Sequence, residues 1–235
     1  MSDGRDPESR ATILAAIQRN VRRSDGDRAA KARVLRRLKT HPRGPVPART
    51  QGTQADRLDL FQARAEAAEA TVRRLDTWDA VPAAVAAVLR ARNEPAEVAL
   101  APHPDLTGLN WAIGAPLLGL RHGPPGPETA VGVGRAFAGV AETGSLLVRS
   151  GPDSPTTLNF LPAVHIVCLT AEDIVGPFED AWDRLRTPDA PVPRSVTLIT
   201  GPSRTADIEQ TLQLGAHGPV ALHILVVDPD DGGSG

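Results

Sequence analysis

The sequence predicts an α/β protein in three layers, built on a mostly parallel sheet. Short apolar runs alternate along the chain with longer amphipathic segments, which is the order expected when helices cover both faces of a sheet. The runs are apolar at successive positions, as in strands that are buried on both faces. Of 235 residues, 41% are hydrophobic, which is enough for one well-buried domain with extensions.

The first fifty residues predict a basic helical arm followed by a linker. Residues 10–23 and 29–38 place apolar side chains at helical spacing, and residues 40–53 hold three prolines and two glycines. Residues 1–50 have a net charge of +8, whereas the remainder has a net charge of −10. The arm therefore folds onto its own acidic body, docks on an acidic partner or binds nucleic acid. The last is disfavoured, because no aromatic residues interleave the basic ones.

An α/β domain is predicted over residues 56–228, with a flexible tail at 229–235. Its strands are expected to alternate with helices, apart from one hairpin, in which Gly144 takes a positive φ. The segment 102–127, rich in Gly and Pro, is expected to be irregular and contains His103 and His122. Helices are expected at residues 58–70, 78–92, 171–186 and 206–214, and strands at 71–75, 98–101, 130–140, 146–149, 164–169, 196–199 and 221–227.

The segment TGPSRTADIEQTLQLGAHGP, residues 200–219, predicts an anion site. Gly201 makes a tight turn, and Ser203 or Thr205 is placed to cap the helix expected at residues 206–214. A helix that begins directly after such a turn presents free N–H groups to one point, where an anion binds.

Arg204 adds a fixed positive charge to this site and is suited to bidentate pairing with a carboxylate or a phosphate. Because the loop follows the strand Val196–Ile199, it is expected at the rim formed by the carboxyl ends of parallel strands, where ligands bind. Ordinary capping is the alternative. In that case Asp207 suits the first helical turn, and Arg204 pairs with Asp207 or with another acid of the chain.

Glu142 is the carboxylate that the sequence favours for a chemical role. It lies in the turn AETGS, residues 141–145, where a carboxylate flanked by glycine can reach into a cleft as acid, base or nucleophile. Thr143, Gly144 and Ser145 of the same turn are assigned with it to substrate or anion binding. The alternative is a plain turn residue that faces water.

The histidines give little support for a metal site, since none of the six shows HxH or HExxH spacing. His217 lies in the loop GAHGP and either belongs to the anion site or is simply exposed. His165 is expected to be a core histidine with a backbone partner.

Composition also limits the redox chemistry of the chain. The single cysteine, Cys168, lies in an apolar run and is expected to be buried, and one cysteine cannot ligate an iron–sulfur cluster alone. The run GVGRAFAG has the wrong spacing for a dinucleotide-binding loop. We therefore expect no cofactor on this chain. No apolar run reaches the ~20 residues of a membrane span, and no signal peptide is evident, so a cytoplasmic location is expected.

Four motifs, AETGS, LNFLPAVHI, GPSRTADIE and GAHGP, resemble in order and spacing those of the lactate utilisation protein C family, whose domain is the LUD domain. The resemblance covers about residues 58–227. It implies a fold similar to that of ribose-5-phosphate isomerases and CoA transferases. It also implies a role in oxidising L-lactate to pyruvate beside iron–sulfur partner proteins.

Two functional hypotheses follow from this resemblance. In the first, the chain is a subunit without its own redox cofactor, which binds a small carboxylate such as lactate or pyruvate, or the partner subunits, at the GPSRTADIE rim. In the second, it is a stand-alone enzyme of the isomerase or CoA-transferase kind that uses Glu142.

Overall fold

The computed structural model describes residues 7–21, 28–123, 125–126, 129–186, 193–205, 213–214 and 217–228. Contacts divide the chain into two units, Met1–Gly44 and Pro45–Gly235. The domain limits expected from the sequence, 1–50 and 56–228, stay predictions. The expected tail at 229–235 lies outside the described residues.

The first unit contains two helices, α1 (Pro7–Val21) and α2 (Arg28–Thr40). Both agree with the helical spacing of the sequence, although residues 22–23 of the first expected helix are not described. Several large apolar side chains on these helices are exposed: Ile13, Leu14, Ile17, Val34, Leu35 and Leu38.

The second unit alternates helices and strands. Single 3-10 turns at Ala48–Thr50, Trp78–Ala80, Thr156–Asn159 and Ala171–Asp173 join some of these elements. The elements in chain order are α3 (Gln54–Ala67), β1 (Thr71–Leu75), α4 (Val81–Arg92), β2 (Glu97–Leu100), α5 (Pro104–Thr107), α6 (Trp111–Gly114), β3 (Gly119–His122), β4 (Val131–Arg135), β5 (Ala138–Val140), β6 (Ser145–Arg149), β7 (Val164–Thr170), β8 (Ile174–Val175), α7 (Phe178–Leu185), β9 (Val196–Ile199), β10 (Arg204–Thr205), β11 (Gln213–Leu214) and β12 (Ala221–Val227).

A six-stranded sheet forms the centre of this unit, in the order β1-β12-β7-β4-β2-β3. Every neighbouring pair in it is parallel. The α/β fold class with a mostly parallel sheet is therefore confirmed. The likeness to ribose-5-phosphate isomerases and CoA transferases stays a prediction.

Both faces of the central strands are buried, as their continuous apolar runs predict. On β7, Ile166 and Cys168 pack on one face with residues of α4, whereas Val167 and Leu169 pack on the other face with residues of α3. Neighbouring strand β12 alternates in the same way. Because side chains on a strand point to opposite faces in turn, a strand covered on both sides needs apolar residues at every position.

A second sheet, in the order β8-β5-β6-β9, lies on the α3 side of the central sheet. Strands β5 and β6 form the expected antiparallel hairpin, and Gly144 in its turn has φ +69°. Helix α7 packs on this sheet through Ala181 and Leu185.

Several element predictions were wrong in ways that matter for the site. The expected strand 130–140 is two strands in different sheets, β4 and β5, and the expected helix 171–186 begins with β8. The irregular segment 102–127 contains α5, α6 and β3. Gln213–Leu214, expected to end a helix, pairs with Arg204–Thr205 as a strand, and residues 206–212 lie outside the described part of the chain.

Gly144→Ala should destabilise the fold strongly. An added Cβ would meet the backbone of α3 at Ala65, and the backbone itself has a positive φ. We expect the free energy of unfolding to fall by roughly 2–4 kcal/mol in urea titrations. Gly123→Ala is the control, because Gly123 also has a positive φ but has no atom within 4 Å of an added Cβ; it should cost about 1 kcal/mol. Equal losses in the two variants would contradict the packing argument.

Candidate functional site

Glu142 lies at the start of the β5–β6 turn and contacts the N-terminus of α7. Its Oε2 accepts a hydrogen bond from the Phe178 N–H at 3.3 Å, and its Oε1 lies 4.0 Å from the Arg49 guanidinium. A carboxylate at a helix N-terminus is stabilised by the free N–H groups there. The structure thus gives Glu142 a capping contact, and its catalytic role stays a prediction.

The other residues of this turn form a line of hydroxyl groups. The Thr143 Oγ1 and Ser145 Oγ atoms are 2.7 Å apart, and Ser145 Oγ lies 2.6 Å from Thr200 Oγ1. Ser145 is buried, and Thr200 directly follows β9. The structure therefore brings the AETGS turn together with the start of the GPSRTADIE segment, as the hypothesis of a shared site requires.

Gly201 and Arg204 both contact the C-terminal end of α3. Gly201 has φ +71°, and an added Cβ there would collide with the Ala68 carbonyl. The Arg204 guanidinium donates to the same carbonyl at 3.0 Å and pairs with Glu69 at 2.9 Å. A cation suits the carbonyl end of a helix. Arg204 is thus paired with an acid of the chain itself, one of the two alternatives that the sequence left open.

The GPSRT segment lies at the opposite edge of the central sheet from the edge expected. The preceding strand β9 belongs to the second sheet, antiparallel to β6. The Ser203 N–H donates to the Pro219 carbonyl at 2.8 Å, just before β12 begins, and Ala68 lies just before β1. The segment therefore lies at the amino edge of the parallel strands. The prediction was wrong because an apolar run alone does not reveal which sheet a strand joins.

The remaining predicted site residues are described only in part. His217 is exposed, and Gly218 beside it approaches the Ser203 side chain. Thr205 lies in the short strand β10, and Asp207 lies outside the described residues. The assignment of these residues to anion binding stays a prediction.

A cleft of about 180 Å³ lies at the other edge, where the parallel strands end. Sequence reasoning missed it. Its charged and polar lining residues come from the last positions of β4 and β6 and from the loops that follow β2, β6 and β7: Arg135, Arg149, His103, Asp153, Ser154 and Asp173.

Arg135 connects the loops around this cleft. Its guanidinium bonds to Asp105 at 3.1 Å and to Asp173 at 2.5 Å, and it lies 5.3 Å from the centre of the Trp78 ring. Although burial acts to raise the pKa of Asp173, hydrogen bonds from Thr170 and Arg135 lower it below its ordinary value. Asp173 therefore stays ionised and holds Arg135 in place.

A signal for this cleft was present in the sequence. His103 comes directly after the expected strand 98–101, and Arg135 interrupts the apolar run 130–140. Polar side chains at the ends of buried parallel strands collect at one edge of the sheet. Reading residues 130–140 as one strand placed Arg135 inside the sheet and hid this position.

Two other titratable groups are buried in β7. Burial raises the pKa of the Cys168 thiol to about 12, so Cys168 is a small apolar residue, as predicted. Burial lowers the pKa of His165 to about 4, and neither ring nitrogen has a hydrogen-bond partner among the described residues. The backbone partner expected for His165 is therefore not found there.

Within the described residues, no three His, Cys, Asp or Glu side chains are grouped to hold a metal ion. None of the helices in that part of the chain is long and apolar enough to cross a membrane.

Comparison with known proteins shows which part of the chain resembles a known family. The family model described as the LUD domain matches residues 128–227. These residues are similar to the LUD domain and make up less than half of the chain. The resemblance to the lactate utilisation protein C family is thereby confirmed, since the chain also matches several proteins of that name. Two elements that shape the sites, helix α3 and the loop with His103, lie outside the matched residues.

The relatives match this chain over a limited length. An uncharacterized protein of Neisseria meningitidis is 40% identical over 99 residues, which are 42% of each chain. "Lactate utilization protein C" of Bacillus subtilis is 37% identical over 105 residues, 43% of this chain and 44% of the relative. The protein of the same name from Anoxybacillus flavithermus is 36% identical over 90 residues, 38% and 40% of the two chains. The chain thus spans less than half the length of these curated relatives.

A crystal structure of a DUF162 family protein from Deinococcus radiodurans has the same fold. It aligns with a TM-score of 0.52 over 75% of this chain and 99% of the other, at 19% identity. This likeness concerns the fold alone.

Arg204→Ala should lower the stability of the domain. The substitution removes a charged hydrogen bond to the end of α3, and because the Arg204 side chain is one-third exposed we expect a loss of only about 1–2 kcal/mol in unfolding free energy. Arg73→Ala, at an exposed position on β1, is the matched control and should change stability by less than about 0.5 kcal/mol. An unchanged urea midpoint for Arg204→Ala would show that the contact with α3 contributes nothing.

His165 should make the fold less stable in acid. The unfolded imidazole binds a proton near pH 6.5, whereas the folded one does so only near pH 4. Between these values the unfolded state binds more protons, so the free energy of unfolding falls as the pH falls. In wild type, His165 should lower the free energy of unfolding by on the order of 2–3 kcal/mol between pH 7 and pH 4, and His165→Leu should not show this loss. Parallel profiles for wild type and His165→Leu would refute the assignment.

Proposed function

We propose that this chain is a component of a lactate utilisation system and carries no redox cofactor of its own. In this proposal, L-lactate is oxidised to pyruvate by an assembly in which iron–sulfur partner proteins accept the electrons. The observation that carries the proposal is the match of residues 128–227 to the LUD domain, together with matching relatives named "Lactate utilization protein C".

The chemistry of the side chains supports a non-redox role. Oxidation of a hydroxyl to a ketone removes two electrons, which need an acceptor. Iron–sulfur clusters are commonly held by cysteine thiolates, and the only cysteine of these 235 residues is buried with its pKa raised to about 12. A neutral thiol inside β7 cannot serve as a ligand there, so we assign the electron carriers to the partners.

The GPSRTADIE segment was proposed to bind either a small carboxylate or the partner subunits. Its arginine is already paired with Glu69 and with the end of α3, which leaves less positive charge for a small anion. We therefore favour the partner subunits as the occupant of this surface. Arg204 then shapes the surface by fixing the loop to α3.

The alternative, a stand-alone isomerase or CoA-transferase-like enzyme, depends on Glu142. The capping contact with Phe178 and the nearby Arg49 guanidinium give this carboxylate a structural role. A substitution that keeps its size but removes its charge separates the two functions.

Deleting the gene for this protein in its host should abolish growth on L-lactate and leave growth on pyruvate intact. Wild-type protein should restore growth, and Glu142→Gln should restore it as well if the residue only caps α7. Arg204→Gln should restore growth less well and should co-purify with fewer partner proteins, because its loop is less firmly held. Growth rate and affinity purification from the same strains measure both effects.

Three results would count against this function. Full growth of the deletion strain on L-lactate, without a duplicate system, removes the lactate assignment. Loss of growth with Glu142→Gln, while the variant still folds and still co-purifies with its partners, favours an enzyme that uses Glu142. Partner recovery that Arg204→Gln leaves unchanged removes the docking role of the loop.

A further inference from the structure

The cleft at the carboxyl edge lies at the point where the order of the central strands reverses. Strands β2 and β4 are neighbours, but after β2 the chain goes outward to β3, and after β4 the next central strand is β7 on the other side. The loops after two such strands leave in opposite directions and open a crevice between them. In α/β proteins this crevice is the usual ligand site.

Arg149 is the arginine in this cleft that does not form an ion pair with an acidic side chain of the described residues. It ends β6, lines the cleft and lies 4.8 Å from the centre of the Phe137 ring. Among the residues that the structure describes, it has no ion-pair partner within 4.0 Å. A guanidinium that stacks on an aromatic ring keeps its orientation, and its N–H groups remain free to bind a carboxylate with two hydrogen bonds.

The carboxylates around the cleft are neutralised in the main by other arginines. Asp105 and Asp173 bond to Arg135, and Asp173 also lies 3.3 Å from Arg184. Asp153 has no arginine partner among the described residues and faces His103. Arg149 and Asp153 together suit a ligand that carries a carboxylate and a hydrogen-bond donor.

His103 provides a hydrogen-bond donor near Arg149. Its Nδ1 accepts the Asp105 N–H at 3.2 Å, so a neutral ring carries its proton on Nε2. The Nε2 atom lies 3.9 Å from Asp153 Oδ2, which is too far for a direct hydrogen bond. A ligand hydroxyl placed between the two completes both interactions, because it accepts from Nε2 and donates to the carboxylate, whereas a keto oxygen has no proton to donate.

The size of the cleft limits its occupant. Its volume of about 180 Å³ is below the roughly 300–1,000 Å³ of pockets for drug-sized ligands. The occupant is therefore a small molecule, with a carboxylate for Arg149 and an oxygen close to it for His103 and Asp153.

We propose that this cleft is a binding site for small 2-hydroxy carboxylates. Arg149 binds the carboxylate, and the His103–Asp153 pair binds the oxygen on the neighbouring carbon. Arg135 positions the walls through its bonds to Asp105 and Asp173. The choice of L-lactate and pyruvate as first probes rests on the proposed function; the assignment of the cleft rests on its own geometry.

Calorimetry and ligand-observed NMR with the full chain test the site. The probes are L-lactate, pyruvate and propionate, which has the same carbon skeleton without the second oxygen, and inorganic phosphate as a different anion. We expect L-lactate to bind more tightly than pyruvate, propionate or phosphate, because only its 2-hydroxyl can both accept from His103 and donate to Asp153. Arg149→Gln should weaken that binding roughly tenfold to a hundredfold. His103→Gln should weaken the binding of L-lactate more than it weakens the binding of propionate, which has no second oxygen for His103.

Two further variants make the result specific. Arg73→Gln, at an exposed position on β1, is the neutral control and should bind as wild type does. Arg204→Gln tests the competing site, and if it abolishes binding while Arg149→Gln does not, the cleft proposal is wrong. Circular dichroism and melting temperatures show that each variant is folded.

The outcomes separate this proposal from the proposed function. If L-lactate fails but another small 2-hydroxy acid such as glycolate binds in an Arg149-dependent way, the cleft assignment stands and the lactate assignment fails. If none of these acids binds, or if Arg149→Gln binds as wild type does, the cleft proposal is overturned, whatever the growth phenotype.

Discussion

The close approach of helix α3 to two glycine turns is the constraint on which the architecture of this domain depends. The helix lies between the two sheets, with Phe61 buried in the core that they share. Gly144 and Gly201 bring the backbone of the second sheet against its C-terminal end, and Gln54 bonds to the Ala171 and Ile174 carbonyls near its N-terminus. A side chain at either glycine would separate the sheets. Gly144 of the AETGS motif and Gly201 of the GPSRTADIE motif thus have a packing explanation that does not require a ligand.

The two edges of the central sheet consequently have different characters. At the amino edge, backbone contacts and an arginine bound to a helix end hold the GPSRT segment in place. At the carboxyl edge, charged side chains from several loops face a small cleft, and Arg149 there lacks an acidic partner among the described residues. Loops that follow parallel strands are free to vary in function because the strands beneath them supply the stability.

The strands were predictable where burial on both faces leaves an unbroken apolar run. β12 agrees with its expected limits, and β7 differs by one residue. β1 and β9 also agree, although most of their side chains are exposed or half-buried. Sheet membership was not predictable, because Val196–Ile199 is equally apolar in either sheet; its place is decided by pairing with β6. Because β9 pairs with β6, the GPSRT loop lies at the opposite edge of the central sheet from the one expected. Ile174–Val175 became a strand because Gly139 leaves room for Ile174 beside it, a tertiary contact that no local pattern contains.

The burial of Cys168 has a practical consequence for experiments on this molecule. Its thiol lies inside the central sheet, where burial raises its pKa to about 12, so maleimides and mild oxidants, which need an accessible thiolate, should not reach it. The wild-type chain is therefore already a suitable background for site-directed labelling. A cysteine introduced on either edge would be the single reactive thiol, and a spin label or fluorophore there would report on one position without prior removal of the native residue.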